Sequence, residues 1–403
     1  MDKLDQFQDI RPYKDDEVRP VLDSLLADNG FISSVGGFSR PRLYKALPFM
    51  VRYLTRKKLS RELKDVHDIA GMQTVIARYM DEMIEKTTSS LTHSGLENLK
   101  SDRSYLFISN HRDIAMDPAF VNYMLYHAGC ETVYIAIGDN LLKRPFVNDL
   151  MRLNKSFIVR RSLKGRELLK SSKQLSAYIH HCIDLTRNVW IAQREGRAKD
   201  GVDRTDPALL KMLGMSKRDE GLGAALSALH IVPVAISYEF DPCDVLKANE
   251  LYQRKEAGSY QKDEQSDIHS IVTGMVGYKG HVHVSFGKEL EINSDDPEHI
   301  ASQIDQQIID NYLLQIGNYL ALEKLQQSTP ELVPMLNTLP LKDAGRFEEA
   351  KAEFEKRLQA VDEKIRPYLL QMYANPVISR YAATQEDPFS QTAVHADLEE
   401  QDF

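Results

Sequence analysis

The chain has 403 residues, 42% of them apolar and 27% charged, with a formal net charge of −8. This is ordinary globular composition, long enough for one large domain or two to three smaller ones. The negative balance excludes the whole molecule as a counterion for nucleic acid, so no nucleic-acid partner is expected. Three widely spaced cysteines, Cys130, Cys182 and Cys243, argue against a disulfide framework or a zinc knuckle. The opening "MDKLDQFQDIRPYKDDEV" is too polar for a signal peptide, and no stretch reaches the roughly 18 apolar residues of a spanning helix. A cytoplasmic setting is expected, in solution or peripheral on the inner face of a membrane.

Residues 16 to 28 place Val18, Val21, Leu22, Leu25 and Leu26 on one helical face. The stretch "NGFISSVGGFSRPR" then reads as a loop. Residues 40 to 64 carry nine Lys or Arg against Glu62 alone, interleaved with Leu43, Leu47, Phe49, Met50, Tyr53 and Leu54. Two readings fit: a basic helix lying on anionic lipid, or a solvated helix that packs its apolar side on the protein.

From about residue 100 short β-rich runs alternate with helical segments. Strands are expected at "YLFIS" (105–109), "VYIAI" (133–137), "FIVR" (157–160), "VWIAQ" (189–193), "IVPVAISY" (231–238) and "HVHVSFG" (281–287). Near-continuously apolar strands alternating with helices imply an α/β fold, a mostly parallel sheet covered by helices. The segment 248–267 reads as a polar, mobile loop. The expected organisation is a helical region over 1–95, an α/β domain over 96–290, a helical region over 291–382 and an acidic, disordered tail over 383–403.

The ends of the strands carry the polar groups. Asn110 and His111 follow the first, Gly138 and Asp139 the second, Arg161 the third, Arg194 to Arg197 the fourth and Glu239 the fifth. In an open parallel sheet, ligands bind outside the carboxyl ends of the strands. The tripeptide His111-Arg112-Asp113 is not a kinase loop, because the magnesium-holding Asn such a loop needs is replaced by Pro118.

A histidine beside a carboxylate is what general-base catalysis requires: the carboxylate fixes Nδ1, and Nε2 takes a proton from a substrate hydroxyl. Two carboxylates are candidates, Asp113 and Asp117. Asp117 before Pro118 also reads as a helix N-cap followed by Pro at the first helical position. Arg160, Arg161 and the run "REGRAKDG", with Glu195, Gly196 and Arg197, suggest an anion site, since guanidinium matches phosphate bidentately. Taken alone, two adjacent arginines are more often a surface feature than a site. His281 and His283 share one strand face but have no third ligand in reach by sequence, so no metal site is expected.

Four blocks, "ISNHRDIAMD", "GDNLLKRPFVNDLMRLNKSFIVRRSLKG", "IAQREGRAKDG" and "IVPVAISYE", resemble the glycerolipid acyltransferases. They stand closer to the glycerol-3-phosphate acyltransferases than to the 1-acylglycerol-3-phosphate acyltransferases. The resemblance covers roughly residues 105 to 240.

The resemblance implies phospholipid biosynthesis: transfer of a fatty acyl group from acyl-CoA or acyl carrier protein to glycerol 3-phosphate or a lysophospholipid. It needs no cofactor or metal and forms no acyl-enzyme. It implies His111 as base, Arg160, Arg161, Glu195, Gly196 and Arg197 around the phosphate, and Pro233 on the acyl-chain side. The family spaces its histidine and aspartate by four residues, and that position here is Met116. Asp117 takes the role, or Asp113 does, or the pair is broken; Asp117 is favoured because it stands at the helix start. A broken pair would leave a non-catalytic lipid or acyl-carrier binding protein on the same scaffold.

Overall fold

The computed structural model describes residues 6–258, 266–326 and 344–384. The chain divides into two compact units, each made of two stretches: Met1–Glu82 with Thr132–Trp190, and Met83–Glu131 with Ile191–Phe403. Seven strands occur among the described residues: β1 (Thr88–Ser94), β2 (Leu106–Ser109), β3 (Tyr134–Gly138), β4 (Ser156–Val159), β5 (Val189–Ala192), β6 (Ile231–Tyr238) and β7 (Gly280–Phe286). The pairs β1–β7, β2–β6, β3–β4 and β3–β5 are parallel, and β6–β7 is antiparallel. The fold is α/β with a mostly parallel sheet.

In the first unit β3 pairs with β4 and with the first residues of β5. Its helical core gathers Val18, Leu22, Leu25, Phe31, Ile32, Leu59, Leu63 and Leu153. The stretch read as a loop over 29–42 is instead helical, Asn29–Ser39 followed by Pro41–Ala46. Asp28 caps the first of these, accepting the Phe31 N–H at 2.6 Å. The glycines that suggested a loop serve packing: a Cβ on Gly36 would stand 3.1 Å from Val51 and Thr55, on the helix Pro48–Glu62. Small residues let two helices approach there.

In the second unit the strand order is β1-β7-β6-β2. Strands β2 and β6 are buried along their whole length, as the apolar runs require. Strand β1, "TSSLTHS", has no strand-like apolar pattern. Thr92 and Ser94 hold it to β7 by side-chain hydrogen bonds with His281, His283 and Ser285.

The loop expected over 248–267 is a second correction. A helix runs Asp244–Ala257, another starts at Ser266, and only 259–265 lie outside the described residues. That helix is polar yet supported: Glu250 pairs with Arg254 at 2.9 Å and with Lys199 at 2.7 Å, and Ala248 is fully buried. C-terminal helices Pro297–Asn311, Ile316–Gln326, Ala344–Gln359 and Arg366–Thr384 follow. The last three pack Leu320, Leu322, Phe354, Leu369 and Tyr373 into a core with Phe240 and Ala248. Of the acidic tail, 385–403 lie outside the described residues.

Candidate active site

Strand β2 ends at Ser109, and Asn110 anchors the chain just beyond it. The Asn110 carboxamide donates to Ile236 O at 3.0 Å, and its Oδ1 accepts the Ile236 N–H at 2.8 Å, so the side chain imitates a strand partner of β6. His111 leaves this anchored point with a side chain 14% exposed, and its Nδ1 lies 2.8 Å from Asp117 Oδ2. A carboxylate only accepts, so the proton of this hydrogen bond sits on Nδ1 and Asp117 fixes the tautomer and the plane of the imidazole.

Asp117 is fully buried and saturated with donors. Its Oδ2 also accepts the N–H groups of Arg112 at 2.6 Å and Asp113 at 2.9 Å, and its Oδ1 accepts the Tyr238 hydroxyl at 2.7 Å. The helix here runs Met116–His127, so Asp117 and Pro118 both lie inside its first turn, and the expected N-cap role of Asp117 is corrected. A helix's first N–H groups lack intrahelical partners, so Pro118 costs no hydrogen bond.

Asp113 does the capping, its Oδ1 accepting the N–H groups of Ala115 at 3.0 Å and Met116 at 2.9 Å. Asp113 Oδ2 is buried against Gly274 without a partner among the described residues. Burial, with the nearby Asp117 charge, raises the Asp113 carboxyl above the usual range.

Beneath the loop lies a buried charge network that sequence reasoning did not single out. Arg112 donates to Gly201 O at 3.1 Å and to Asp203 Oδ2 at 2.5 Å, and Asn110 reaches the same carboxylate oxygen at 3.3 Å. Lys247 donates to Arg112 O at 2.6 Å and to Asp241. Buried charges need such pairing, and here both partners of each pair converge on one turn. Asp203 and the Asp241–Lys247 pair lie far from Arg112 in sequence, with no motif to join them to it. Tyr238, the last residue of a strand already recognised, was the one findable addition.

The "REGR" turn comes close to His111 through the backbone: Ala198 N–H donates to His111 O at 2.8 Å. Gly196 takes φ +79 with open space around its Cα, so backbone is presented where a side chain would strain. Glu195 beside it is exposed. Arg197 donates through Nη2 to Ser270 Oγ at 3.2 Å, and its Nη1 is buried without a partner among the described residues.

Arg160 and Arg161 belong to the first unit. Arg160 pairs with Asp9 at 2.6 Å, at a well-exposed site. The Arg161 N–H and the Ser162 hydroxyl donate to the two oxygens of Asp139. The Arg161 guanidinium lies over Gly138, where an added Cβ would stand 3.0 Å from Nε.

Pro233 is buried in β6 opposite Ile108, its carbonyl accepting Gly287 N–H at 2.8 Å. His281 and His283 bind Thr92 and Ser94, and burial pushes His283 down to about 4. Among the described residues no group of three or more His, Cys, Asp or Glu is arranged to hold a metal ion.

The basic stretch 40–64 becomes the helices Pro41–Ala46 and Pro48–Glu62. Val51 and Leu59 face inward, while Phe49 is 78% and Tyr53 64% exposed, with Leu47, Met50 and Leu54 exposed beside them. Among the described residues no helix is long and apolar enough to cross a membrane.

Residues 90–237 match a protein-family model described as Acyltransferase. Over 202 residues, half of this chain and 23% of the relative, the sequence is 26% identical to the glycerol-3-phosphate acyltransferase of Alteromonas mediterranea. Over 241 residues, 59% of this chain and 28% of the relative, it is 25% identical to that of Pseudomonas fluorescens Pf0-1. The chain thus spans about a quarter of the length of these curated relatives. Among solved structures, the 1-acyl-sn-glycerophosphate acyltransferase PlsC of Thermotoga maritima matches with a TM-score of 0.35 at 14% identity, over 73% of this chain and 96% of that one.

Proposed function

We propose that this chain, whose residues 90–237 belong to the glycerolipid acyltransferase family, moves a fatty acyl group from a thioester to the hydroxyl of glycerol 3-phosphate or a lysophospholipid. The observation that carries the reading is the His111–Asp117 pair, with Nδ1 held at 2.8 Å by a buried carboxylate that accepts three further donors.

The acceptor hydroxyl gives its proton to His111 Nε2 as its oxygen attacks the thioester carbonyl. The carbon–sulfur bond then breaks, and the leaving thiolate takes the proton from the imidazolium, which Asp117 has stabilised meanwhile. The proton balance closes on His111 itself, so the proposed chemistry draws on no metal or cofactor and no acyl-enzyme. The donor is acyl-CoA or acyl carrier protein.

Arg197, with a buried nitrogen that has no partner among the described residues, on the turn that bonds the His111 backbone, is proposed to bind the acceptor phosphate. Glu195 and Gly196 shape that turn. Arg160 and Arg161 as phosphate ligands, and Pro233 on the acyl-chain side, stand on the family resemblance alone. The exposed apolar and basic residues around Phe49 and Tyr53 are proposed to rest on anionic lipid at the cytoplasmic face of a membrane, where acyl products accumulate.

The test is an acyl-transfer assay crossing both donors with glycerol 3-phosphate and lysophosphatidate. Turnover that disappears in folded His111→Ala supports the reading. Undiminished turnover in that variant removes His111 as the base, and no turnover in the wild type leaves a lipid or acyl-carrier binding protein.

A further inference from the structure

We infer that Tyr238 is a positioning residue for the proposed transfer, setting the basicity of His111 through Asp117. The inference deepens the acyltransferase reading and rests on it for its kinetic consequences.

Three donors reach Asp117 Oδ2, namely His111 Nδ1, Arg112 N and Asp113 N. The other oxygen, Oδ1, receives the Tyr238 hydroxyl at 2.7 Å. Tyr238 ends β6 and is 4% exposed, and Phe120 packs on its ring with centroids 5.9 Å apart. The phenol is therefore held in place from two sides: by its backbone in the sheet, and by an aromatic from the helix that carries Asp117. Burial and the neighbouring carboxylates raise the phenol well above its ordinary value, so it stays a donor at any working pH.

A hydrogen bond from a neutral donor withdraws charge from the carboxylate it touches. Less charge on Asp117 means less stabilisation of the His111 imidazolium, so the hydroxyl holds the imidazole less basic than an unshielded Asp117 would. It also fixes the carboxylate plane, which aims Oδ2 at Nδ1. A phenol with only a packing role would carry neither effect. Tyr238→Phe keeps the ring and its stacking and removes only the donor.

The experiment uses the full chain with isotopically labelled histidine. It measures the His111 titration by nuclear magnetic resonance alongside the kcat/KM–pH profile. Tyr238→Phe is expected to raise the His111 midpoint by roughly 0.5 to 1 unit and to move the acid limb of the profile up by the same amount. It is also expected to lower kcat about tenfold or more while KM for both substrates stays within about twofold.

Replacement of Tyr238 by 3,5-difluorotyrosine, whose more acidic phenol is a stronger donor, is expected to shift the midpoint downward. This variant retains the packing and answers the question should Tyr238→Phe fold poorly. Phe120→Leu, which loosens the ring but keeps the hydroxyl, should lower stability while moving the His111 midpoint less than Tyr238→Phe does.

A His111 midpoint unchanged in both Tyr238 variants overturns the inference. A midpoint that shifts as expected in a wild-type background lacking acyl transfer leaves the positioning role standing and removes the acyltransferase reading.

Discussion

Asp117 Oδ2 stands 2.8 Å from His111 Nδ1 although one residue more than the family spacing separates them. The extra residue is taken up in the turn, where Asp113 caps the helix and Asp117 enters its first turn. The two carboxylates thus divide the work, and substitution should separate them. Asp117→Asn presents an amide where a tautomer-fixing acceptor is needed and is expected to lower kcat by roughly 10³ to 10⁴. Asp113→Asn keeps the Oδ1 acceptor for Ala115 and Met116 and should cost less than about tenfold. Steady-state kinetics on both folded variants decides it, and equal losses would mean that Asp113 also serves the histidine.

The apolar runs of β2 and β6 could be read directly because both strands are buried throughout, and burial writes itself into composition. His111 and the "REGR" turn were legible for a related reason, since strand ends in such sheets present ligands. Other features were not. The helix Asn29–Ser39 is rich in glycine and serine because Gly36 must sit against Val51 and Thr55, a tertiary demand that local propensity opposes. Strand β1 looks polar because cross-strand hydroxyl–imidazole bonds replace apolar packing. The links from Arg112 to Asp203 and from Lys247 to the Arg112 carbonyl join residues that only the folded chain brings together.

Arg197 tests the acceptor side. Its buried Nη1, unpartnered among the described residues, costs desolvation that an anion would offset on binding. Arg197→Ala is therefore expected to raise KM for the phosphorylated acceptor by roughly tenfold to a hundredfold and to leave KM for the acyl donor within about twofold. Arg197→Lys should recover part of the loss, since an ammonium supplies charge without the bidentate fork. Initial rates over a grid of both substrates read the effect, and an equal rise in both KM values would place Arg197 outside the phosphate site.

The helix Pro48–Glu62 offers a second, independent readout. Val51 and Leu59 already anchor it inward, so exposed Phe49 and Tyr53 are not needed for that packing. Substituting both with serine should leave thermal stability nearly unchanged. Binding to vesicles containing anionic lipid should fall at least fivefold, and wild-type binding should weaken as salt rises. Flotation against neutral vesicles is the control. Binding that ignores salt, lipid charge and both substitutions would leave this helix as a solvated surface.

Asp305 makes stability depend on pH in a predictable direction. Its Oδ1 accepts the Thr205 N–H at 2.7 Å and hydroxyl at 2.6 Å, yet burial outweighs these bonds and pushes the carboxyl up to about 7. The folded state therefore holds this proton more tightly than the unfolded chain, whose carboxyl titrates near 4. Its contribution is fully favourable below about pH 4 and is lost as pH rises through about 7, beyond which the slope from this group vanishes. Asp305→Asn keeps an oxygen acceptor for Thr205 and has no proton to lose. Relative to wild type the variant should gain roughly 1.5 kcal/mol at pH 5 and up to roughly 4 kcal/mol at pH 8. Urea unfolding midpoints at the two pH values measure the difference, and a gain that is the same at both would mean that Asp305 does not titrate in this window.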